Sequence, residues 1–283
     1  MSVNRGRTLI NLLIPSSYTE ESPDPRIKTY KVGQIARVAS IFRVDTITIY
    51  RTKGFDDSKF ISTILRYAET PQYLRKQLFP MQDALRFSGV IPPLRTPHHA
   101  VSDVLKEEEY REGIVTRVGS DQSVWVDIGL DSPIPLVPDK DTETQKTFKK
   151  GERISVRIFS RRPIQVKLVN RSEIPLYWGY NVVIKKSLHE ALTDTEGLRI
   201  ATSRFGEALD EELLSDIKSK VRDKVSIVFG APSTGVEQFL ADEGHNIQDH
   251  SDYVVNSVPN QGTSTVRTEE AVYITLGLLN LIW

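Results

Sequence analysis

Apolar residues recur with two different periods along the first hundred residues of the chain. Leu9–Ile14 is a short apolar run that Pro15 ends, and Thr46–Tyr50 is a β-branched run; both are typical of buried strands. Apolar positions within 27–42 and 60–67 recur at helical spacing instead. This alternation of strand and helix predicts a parallel sheet with helices packed on it.

The pattern changes after the proline-rich stretch 91–97. Residues 112–119 and 123–129 alternate apolar and polar positions around a turn, which predicts a β-hairpin. Two more strands are predicted over 151–158 and 164–169, with no segment of helical spacing between them. Several short strands in succession predict a small β-barrel. We therefore predict an α/β domain made of 1–96 and 172–283, with a barrel domain over 97–171 inserted at a surface loop.

Strand and helix alternate again after Pro175. Strands are predicted over 182–184, 198–201, 225–229 and 253–255, and helices over 207–221 and 268–282. Three of these strands are followed by loops, named here loop A (201–206), loop B (230–235) and loop C (258–267). The glycines of loop B would let a ligand approach the backbone closely, although a purely structural turn is the alternative. Thr268 is predicted to cap the last helix, with Glu269 and Glu270 in its first turn.

The net charge of the 283 residues is zero, but the charges are segregated along the chain. Residues 146–171 hold nine basic residues and one acidic residue, which indicates a polyanionic partner, with a solvated basic surface as the alternative. Within this stretch we predict that Lys149, Lys150, Arg161 and Arg162 contact a polyanion such as RNA.

Other residue types exclude several functions. The chain has no cysteine, which excludes disulfides, thiolate zinc sites and a cysteine nucleophile. The five histidines, at 98, 99, 189, 245 and 250, lack the spacing of a helical metal pair, so no metal is expected, and His98 and His99 are expected at the surface. No apolar run approaches the roughly 20 residues that span a bilayer, and the N-terminus lacks a signal-peptide pattern. A cytoplasmic protein is expected.

Together, loops A, B and C resemble the three cofactor loops of the SPOUT superfamily of methyltransferases. The resemblance is closest to the archaeal and eukaryotic branch of RNA methyltransferases that carries an inserted OB-like domain. Short sequence motifs similar to those of that branch occur in the same order along nearly the whole chain. They are Ile27-Lys-Thr-Tyr-Lys-Val32, Thr70-Pro-Gln-Tyr-Leu-Arg75, Leu94-Arg-Thr-Pro-His98, Tyr177-Trp-Gly-Tyr180 and Thr265-Val-Arg-Thr-Glu-Glu-Ala271.

The resemblance implies a SPOUT-type α/β domain with a C-terminal trefoil knot, S-adenosylmethionine as cofactor and a homodimer formed through the knot. The apolar residues of the C-terminal helix suit burial against a second subunit, and burial within one chain explains them almost as well. Carried over residue by residue, the implied cofactor site comprises Thr202, Ser203, Arg204, Gly230, Gly235, Val258, Asn260, Gly262 and Thr265.

The implied reaction is methylation of a base in ribosomal RNA, with a uridine ring nitrogen as a family-level expectation. Arg204 and Arg267 are the candidate catalytic residues, because a cation can stabilise the anion of a base that has lost its ring proton. Salt bridging within the loops is the alternative for each arginine. Two other functions stay open: an RNA-binding or ribosome-assembly factor that has lost turnover, and a small-molecule enzyme whose barrel serves dimerisation.

Overall fold

The computed structural model of the protein describes residues 7–99, 105–137 and 147–283. They form two compact units. Of the described residues, the sheet unit contains 7–69, Asp83–Leu94 and Gly179–Trp283, and the barrel unit contains Thr70–Gln82 and those within Arg95–Trp178. The domain limits drawn from the sequence stay a prediction.

The described residues include strands and helices that we number in chain order. The strands are β1 (Leu9–Pro15), β2 (Thr46–Tyr50), β3 (Tyr110–Val118), β4 (Val124–Asp127), β5 (Ile134–Val137), β6 (Arg153–Arg161), β7 (Ile164–Leu168), β8 (Asn181–Lys185), β9 (Leu198–Ala208), β10 (Lys224–Val228) and β11 (Tyr253–Asn256). The helices are α1 (Pro25–Ile41), α2 (Ser58–Glu69), α3 (Gln72–Leu78), α4 (Leu188–Thr193), α5 (Glu211–Lys220), α6 (Val236–Asp242) and α7 (Thr268–Leu279).

The sheet unit is built on six parallel strands in the order β11-β9-β10-β1-β2-β8. Its central strands are largely apolar because both faces of the sheet are covered: the consecutive side chains of Leu12, Leu13 and Ile14 are all fully buried. The predicted parallel α/β architecture is confirmed. Among the described residues, no helix is both long enough and apolar enough to cross a bilayer.

Helix ends follow the local chemistry of their capping residues. The hydroxyl of Ser187, the N-cap of α4, accepts a hydrogen bond of 3.1 Å from the backbone N–H of Glu190. The carboxylate of Asp210 accepts from the N–H of Leu213 in the same way at α5. The prediction that this helix begins at Glu207 is wrong, because β9 continues to Ala208 and the cap follows it.

The barrel unit closes into a five-stranded barrel in the order β3-β4-β5-β7-β6, which confirms the predicted barrel. The β5–β7 pair is parallel, and the other strand pairs are antiparallel. Apolar side chains that alternate along the strands fill its interior: Val115, Val126, Ile128, Val156, Ile158 and Val166 are among those almost completely buried.

His98 corrects another expectation. Its side chain is fully buried rather than at the surface, and its ring lies 5.7 Å from the ring of Trp178, centroid to centroid. His99, whose ring lies edge-on to that of His98, is partly exposed. His98 therefore belongs to the packed interior of the barrel unit.

Candidate cofactor site

The carboxyl ends of three neighbouring strands, β9, β10 and β11, surround a cavity of about 480 Å³. Ligands of open parallel sheets bind at this end of the strands, and the volume is typical of a small-molecule site. The lining comes from loops A, B and C and from the first turn of α7. Its residues are Thr202–Phe205, Phe229–Gly235, Val255–Val258, Gln261, Ser264–Val266, Thr268 and Ala271.

Loop A lies inside strand β9, not after it as predicted. Strand β11 pairs Val254 with Ala201 and the next residue, Val255, with Glu207, so the five residues 202–206 loop out of the ladder. A Cβ added to Gly206 would lie 2.6 Å from the carbonyl oxygen of Val254, so glycine is required for the strands to close again. The bulge directs loop A towards the cavity.

Loop B is a tight turn with one crowded and one open glycine. The N–H of Ala231 donates to the carbonyl of Thr234 over 2.9 Å. A Cβ on Gly230 would lie 2.8 Å from the same Thr234 oxygen, whereas a Cβ on Gly235 would meet nothing within 4 Å. Gly235 is also the N-cap of α6 and lines the cavity, so bare backbone faces open space there.

Loop C ends in a helix start that differs from the predicted one. The N-cap of α7 is Arg267, whose backbone N–H donates to the carboxylate of Glu270 over 2.9 Å. The hydroxyl of Thr268, predicted to be the cap, instead donates to the carbonyl of Gly230 over 3.0 Å. The Glu270 carboxylate satisfies a backbone N–H at the start of α7, so the Thr268 hydroxyl can bond to loop B instead.

Asn256, at the end of β11, joins loop A to loop C. Its side-chain amide donates to the carbonyl of Arg204 over 2.8 Å, and its side-chain oxygen accepts from the N–H of Val258 over 2.9 Å. One amide side chain thus fixes the backbone of two loops at the cavity wall.

Arg204 is the positively charged side chain that reaches the cavity from loop A. Its guanidinium lies over the ring of Phe205, 4.6 Å from the ring centroid, and its Nη1 lies 3.5 Å from the carbonyl of Ser264 in loop C. The Phe205 side chain is 80% exposed. A cation and an exposed aromatic ring therefore stand together at the edge of the cavity, as in sites that stack bases.

The structure brings most of the predicted cofactor residues together. Seven of the nine line the cavity: Thr202, Ser203, Arg204, Gly230, Gly235, Val258 and Thr265. Asn260 and Gly262 belong to loop C but are not among the lining residues, and neither is Arg267. Sequence reasoning missed Asn256, Ser257, Phe205 and the lining role of Thr268. The polar residues that directly follow the strand ending at 255 were the available signal for the first two.

The two carboxylates at the start of α7 have different surroundings. Glu270 caps the helix, as described, whereas Glu269 is almost completely buried, with its Oε1 3.8 Å from the Nζ of the buried Lys31. Burial raises the pKa of Glu269, while the charge of Lys31 acts in the opposite direction. Neither carboxylate lines the cavity.

The four residues predicted to contact RNA are all exposed on the barrel unit but form two groups. Lys149 and Lys150 precede β6, whereas Arg161 is the last residue of β6 and Arg162 lies in the turn after it. A nine-residue strand is about 26 Å long from first to last Cα, at about 3.3 Å per residue. The two groups therefore lie at opposite ends of the strand. Lys146, which begins the basic stretch, lies outside the described residues.

Comparisons with known proteins identify the family. A family model described as "Putative RNA methyltransferase" matches residues 9–279. The chain is 38% identical to an uncharacterized protein of Halobacterium salinarum, over 96% of this chain and 98% of that protein. It is 31% identical to the 28S rRNA (uridine-N(3))-methyltransferase of Homo sapiens, over 98% of this chain and 79% of the human protein.

Among solved structures, the chain is similar to the SpoU methyltransferase AviRb of Streptomyces viridochromogenes, which was solved in complex with AdoMet. The TM-score is 0.35 and the identity 10%, over 98% of this chain and 60% of that chain. The family match, in contrast, includes all of loops A, B and C, every strand of the sheet and the whole barrel. The chain therefore belongs to this family of RNA methyltransferases.

Proposed function

We propose that this protein transfers the methyl group of S-adenosylmethionine to N3 of a uridine in ribosomal RNA. The cavity at the ends of β9, β10 and β11 is the observation that carries the proposal, because three loops meet there in a chain that belongs to an RNA methyltransferase family. The name of the human relative supports ribosomal RNA as substrate and uridine N3 as acceptor.

The residues that are present fit the cofactor. Gly235 offers open space where any other residue would place a side chain, and the lining alternates backbone and hydroxyl groups with the apolar side chains of Phe229, Val258 and Val266. Such a surface can hold an adenine ring and hydrogen-bond a ribose and an amino acid. When bound, S-adenosylmethionine supplies an electrophilic methyl group on a sulfonium centre.

Arg204 has the position to act on the acceptor base. Methylation at N3 replaces the N3–H bond with an N3–CH₃ bond: the N3 proton passes to solvent, and the resulting uracil anion takes the methyl group and displaces the demethylated cofactor. A guanidinium at the cavity edge would stabilise that anion, and the exposed ring of Phe205 offers a surface for the uracil to stack on. Arg267, which does not line the cavity, is the weaker candidate.

The barrel unit would bind the RNA chain. Arg161, the last residue of β6, and Arg162, in the turn after it, are exposed. On the same pair of strands, Lys167 lies over the ring of the partly buried Phe159, 5.1 Å from its centroid. Exposed cations next to an aromatic ring are the combination that binds single-stranded nucleic acid. Lys149 and Lys150 at the other end of β6 would form a second contact with phosphates.

A homodimer would bury apolar side chains that the single chain leaves exposed. Ile27 and Tyr30, one turn apart on α1, are 51% and 50% exposed, and Ile274 on the neighbouring helix α7 is 37% exposed. Light scattering should give twice the mass of the chain. A monomeric mass at micromolar concentration would remove this part of the proposal, including the expected knot-mediated dimer.

Mass spectrometry of nucleosides tests the activity directly. Purified protein, S-adenosylmethionine and unmodified ribosomal RNA should give a methylated uridine whose fragments place the new methyl group on N3. Methylation on another base would contradict the acceptor, and RNA binding with cofactor binding but no methyl transfer would favour the assembly-factor alternative.

A further inference from the structure

Three histidines that are far apart in the sequence come together in the sheet unit. His189 lies in the first turn of α4, His245 follows α6, and His250 follows the short helical turn after it. One ring nitrogen from each lies within 4.8 Å of the other two. No metal was expected from the sequence, because the histidines lack the spacing of a ligand pair on one helix. A cluster that forms only when distant segments fold together has no such spacing.

Hydrogen bonds in the cluster prepare nitrogen atoms for a cation. Nδ1 of His250 lies 3.1 Å from the carbonyl oxygen of Asn246, so this nitrogen carries the proton and donates it. Nε2 of His250 therefore carries the lone pair, which accepts a hydrogen bond of 2.8 Å from Nδ1–H of His189; a cation bound between the two nitrogens would take the place of that proton. A histidine that donates one ring N–H to a backbone carbonyl and offers the other nitrogen is the usual arrangement of a metal ligand.

Glu243 fixes the positions of the segments that carry the rings. Its two carboxylate oxygens accept from the backbone N–H groups of Leu188 and His189, over 3.0 and 2.8 Å. Glu243 precedes His245 by two residues, so it ties the start of α4 to the chain that follows α6. The ring of His245 stacks on that of His189, with centroids 3.7 Å apart and planes 10° apart.

We propose that His189, His245 and His250 form a binding site for a divalent transition metal of the Zn²⁺ type. Imidazole nitrogen is a preferred ligand of Zn²⁺, and three protein ligands leave one coordination position for water. Nitrogens that share a tetrahedral Zn²⁺ lie about 3.3 Å apart, given Zn–N bonds of about 2.0–2.1 Å. The His189 and His250 nitrogens need to separate only slightly, and the stacked ring of His245 must tilt so that its lone pair points at the ion.

The site is accessible and separate from the candidate cofactor cavity. All three histidines are partly exposed, so a hydrated ion can reach them. The lining of the cavity, as far as the structure describes it, includes none of the three. A bound ion would connect α4 to the segment after α6 and would stabilise the sheet unit.

Cobalt spectroscopy tests the proposal, because tetrahedral Co²⁺ absorbs visible light far more strongly than hydrated Co²⁺. Full-length protein treated with EDTA and dialysed should bind about one Co²⁺ per chain, and Zn²⁺ but not Mg²⁺ should displace it, because Mg²⁺ requires oxygen ligands. His245→Asn should weaken Co²⁺ binding on the order of 100-fold or more, since even partners outside the ligand shell contribute 10- to 100-fold. Zn²⁺ should raise the thermal midpoint of the wild-type protein by roughly 5 °C at saturation.

His99→Asn is the matched control, because His99 lies in the barrel unit and outside the cluster; it should bind Co²⁺ like the wild type. Circular dichroism verifies that each variant is folded, and His250→Asn replaces His245→Asn if the latter is not. A wild-type spectrum identical to that of free Co²⁺, or equal affinities in the wild type and the cluster variants, would overturn the proposal.

Discussion

The hydroxyl of Thr268 donates a 3.0 Å hydrogen bond to the carbonyl oxygen of Gly230. This bond connects the first turn of α7 to the start of loop B across 38 residues of sequence, and Thr268 is only 4% exposed. One side chain therefore connects loop B to the helix that follows loop C, at the candidate cofactor cavity. The shape of the cavity is set by a contact between loops as well as by the strands that precede them.

Thr268→Val removes this hydrogen bond while keeping the shape of the side chain. The Gly230 carbonyl then loses a buried partner, so the free energy of unfolding should fall by about 1 kcal/mol, and S-adenosylmethionine affinity should fall by up to about tenfold as loop B loosens. Calorimetry and thermal unfolding measure the two effects. Thr29→Val is the control, because the fully buried Thr29 donates a 2.8 Å hydrogen bond to the carbonyl of Pro25 within α1 and is not among the residues that line the cavity. Thr29→Val should lose stability but keep the wild-type affinity for S-adenosylmethionine. Equal losses of affinity in both variants would contradict the role given to the bond between Thr268 and Gly230.

Gly235→Val should block the cofactor cavity without disturbing the fold. No protein atom lies within 4 Å of the added Cβ, and the backbone at Gly235 (φ −75°, ψ 165°) suits any residue. Valine is a poorer N-cap than glycine, which lowers the free energy of unfolding, but it also restricts the unfolded chain, which raises it. The free energy of unfolding should therefore change by no more than about 1 kcal/mol. Calorimetry should show no binding of S-adenosylmethionine. Gly89→Val, which also points into open space, should bind normally; binding by Gly235→Val would place the cofactor elsewhere.

The strands, the short helices and loop B of this protein differ in how far the sequence alone could predict them. Strands of the sheet could be predicted because their burial on both faces leaves consecutive apolar residues, such as Leu12, Leu13 and Ile14. The helices α3, α4 and α6 were missed because six or seven residues show too little of a helical period. Loop B was visible as a glycine turn, but the crowding of Gly230 and the openness of Gly235 depend on contacts that only the folded chain creates.

Loop A and the histidine cluster were beyond sequence reasoning for a related reason. A bulge of residues 202–206 depends on how β9 pairs with β11, and pairing register is a property of two strands together. His189 and His250 meet across 61 residues of chain. The family resemblance identified loop A as a cofactor loop, which the periodicity of apolar residues could not do. The position predicted for loop A, after the strand and not within it, was wrong.

Arg204→Ala should reduce catalysis more than it reduces cofactor binding. If the guanidinium stabilises the uracil anion, the rate of methyl transfer at saturating S-adenosylmethionine should fall roughly 100-fold, as for loss of a donor that acts on developing charge. Single-turnover assays with ribosomal RNA measure this rate. Arg222→Ala is the matched control, because the exposed Arg222 donates to the carbonyls of Ser219 and Val221, precedes β10 at the end opposite the cavity and is not among the lining residues. Equal rates for the two variants would remove Arg204 from the reaction.

The two basic groups at opposite ends of β6 should contribute separately to RNA affinity. Each phosphate contact that is lost should lower the slope of log affinity against log salt by about one unit, so reversing two charges should lower it by about two. We expect the larger loss of affinity from Arg161→Glu with Arg162→Glu, because the ring of Phe159, two residues before Arg161 on β6, adds a surface for base stacking. Lys149→Glu with Lys150→Glu carries the same change of charge and is therefore the matched comparison.

Filter binding at several salt concentrations measures both slopes with the same ribosomal RNA fragment. Stability should change by no more than roughly 0.5 kcal/mol for each residue, because all four side chains are exposed. Binding of S-adenosylmethionine should not change, since the cavity lining lies in the sheet unit. If both pairs leave the salt slope at its wild-type value, these cations merely solvate the barrel, and the RNA must be bound by another surface.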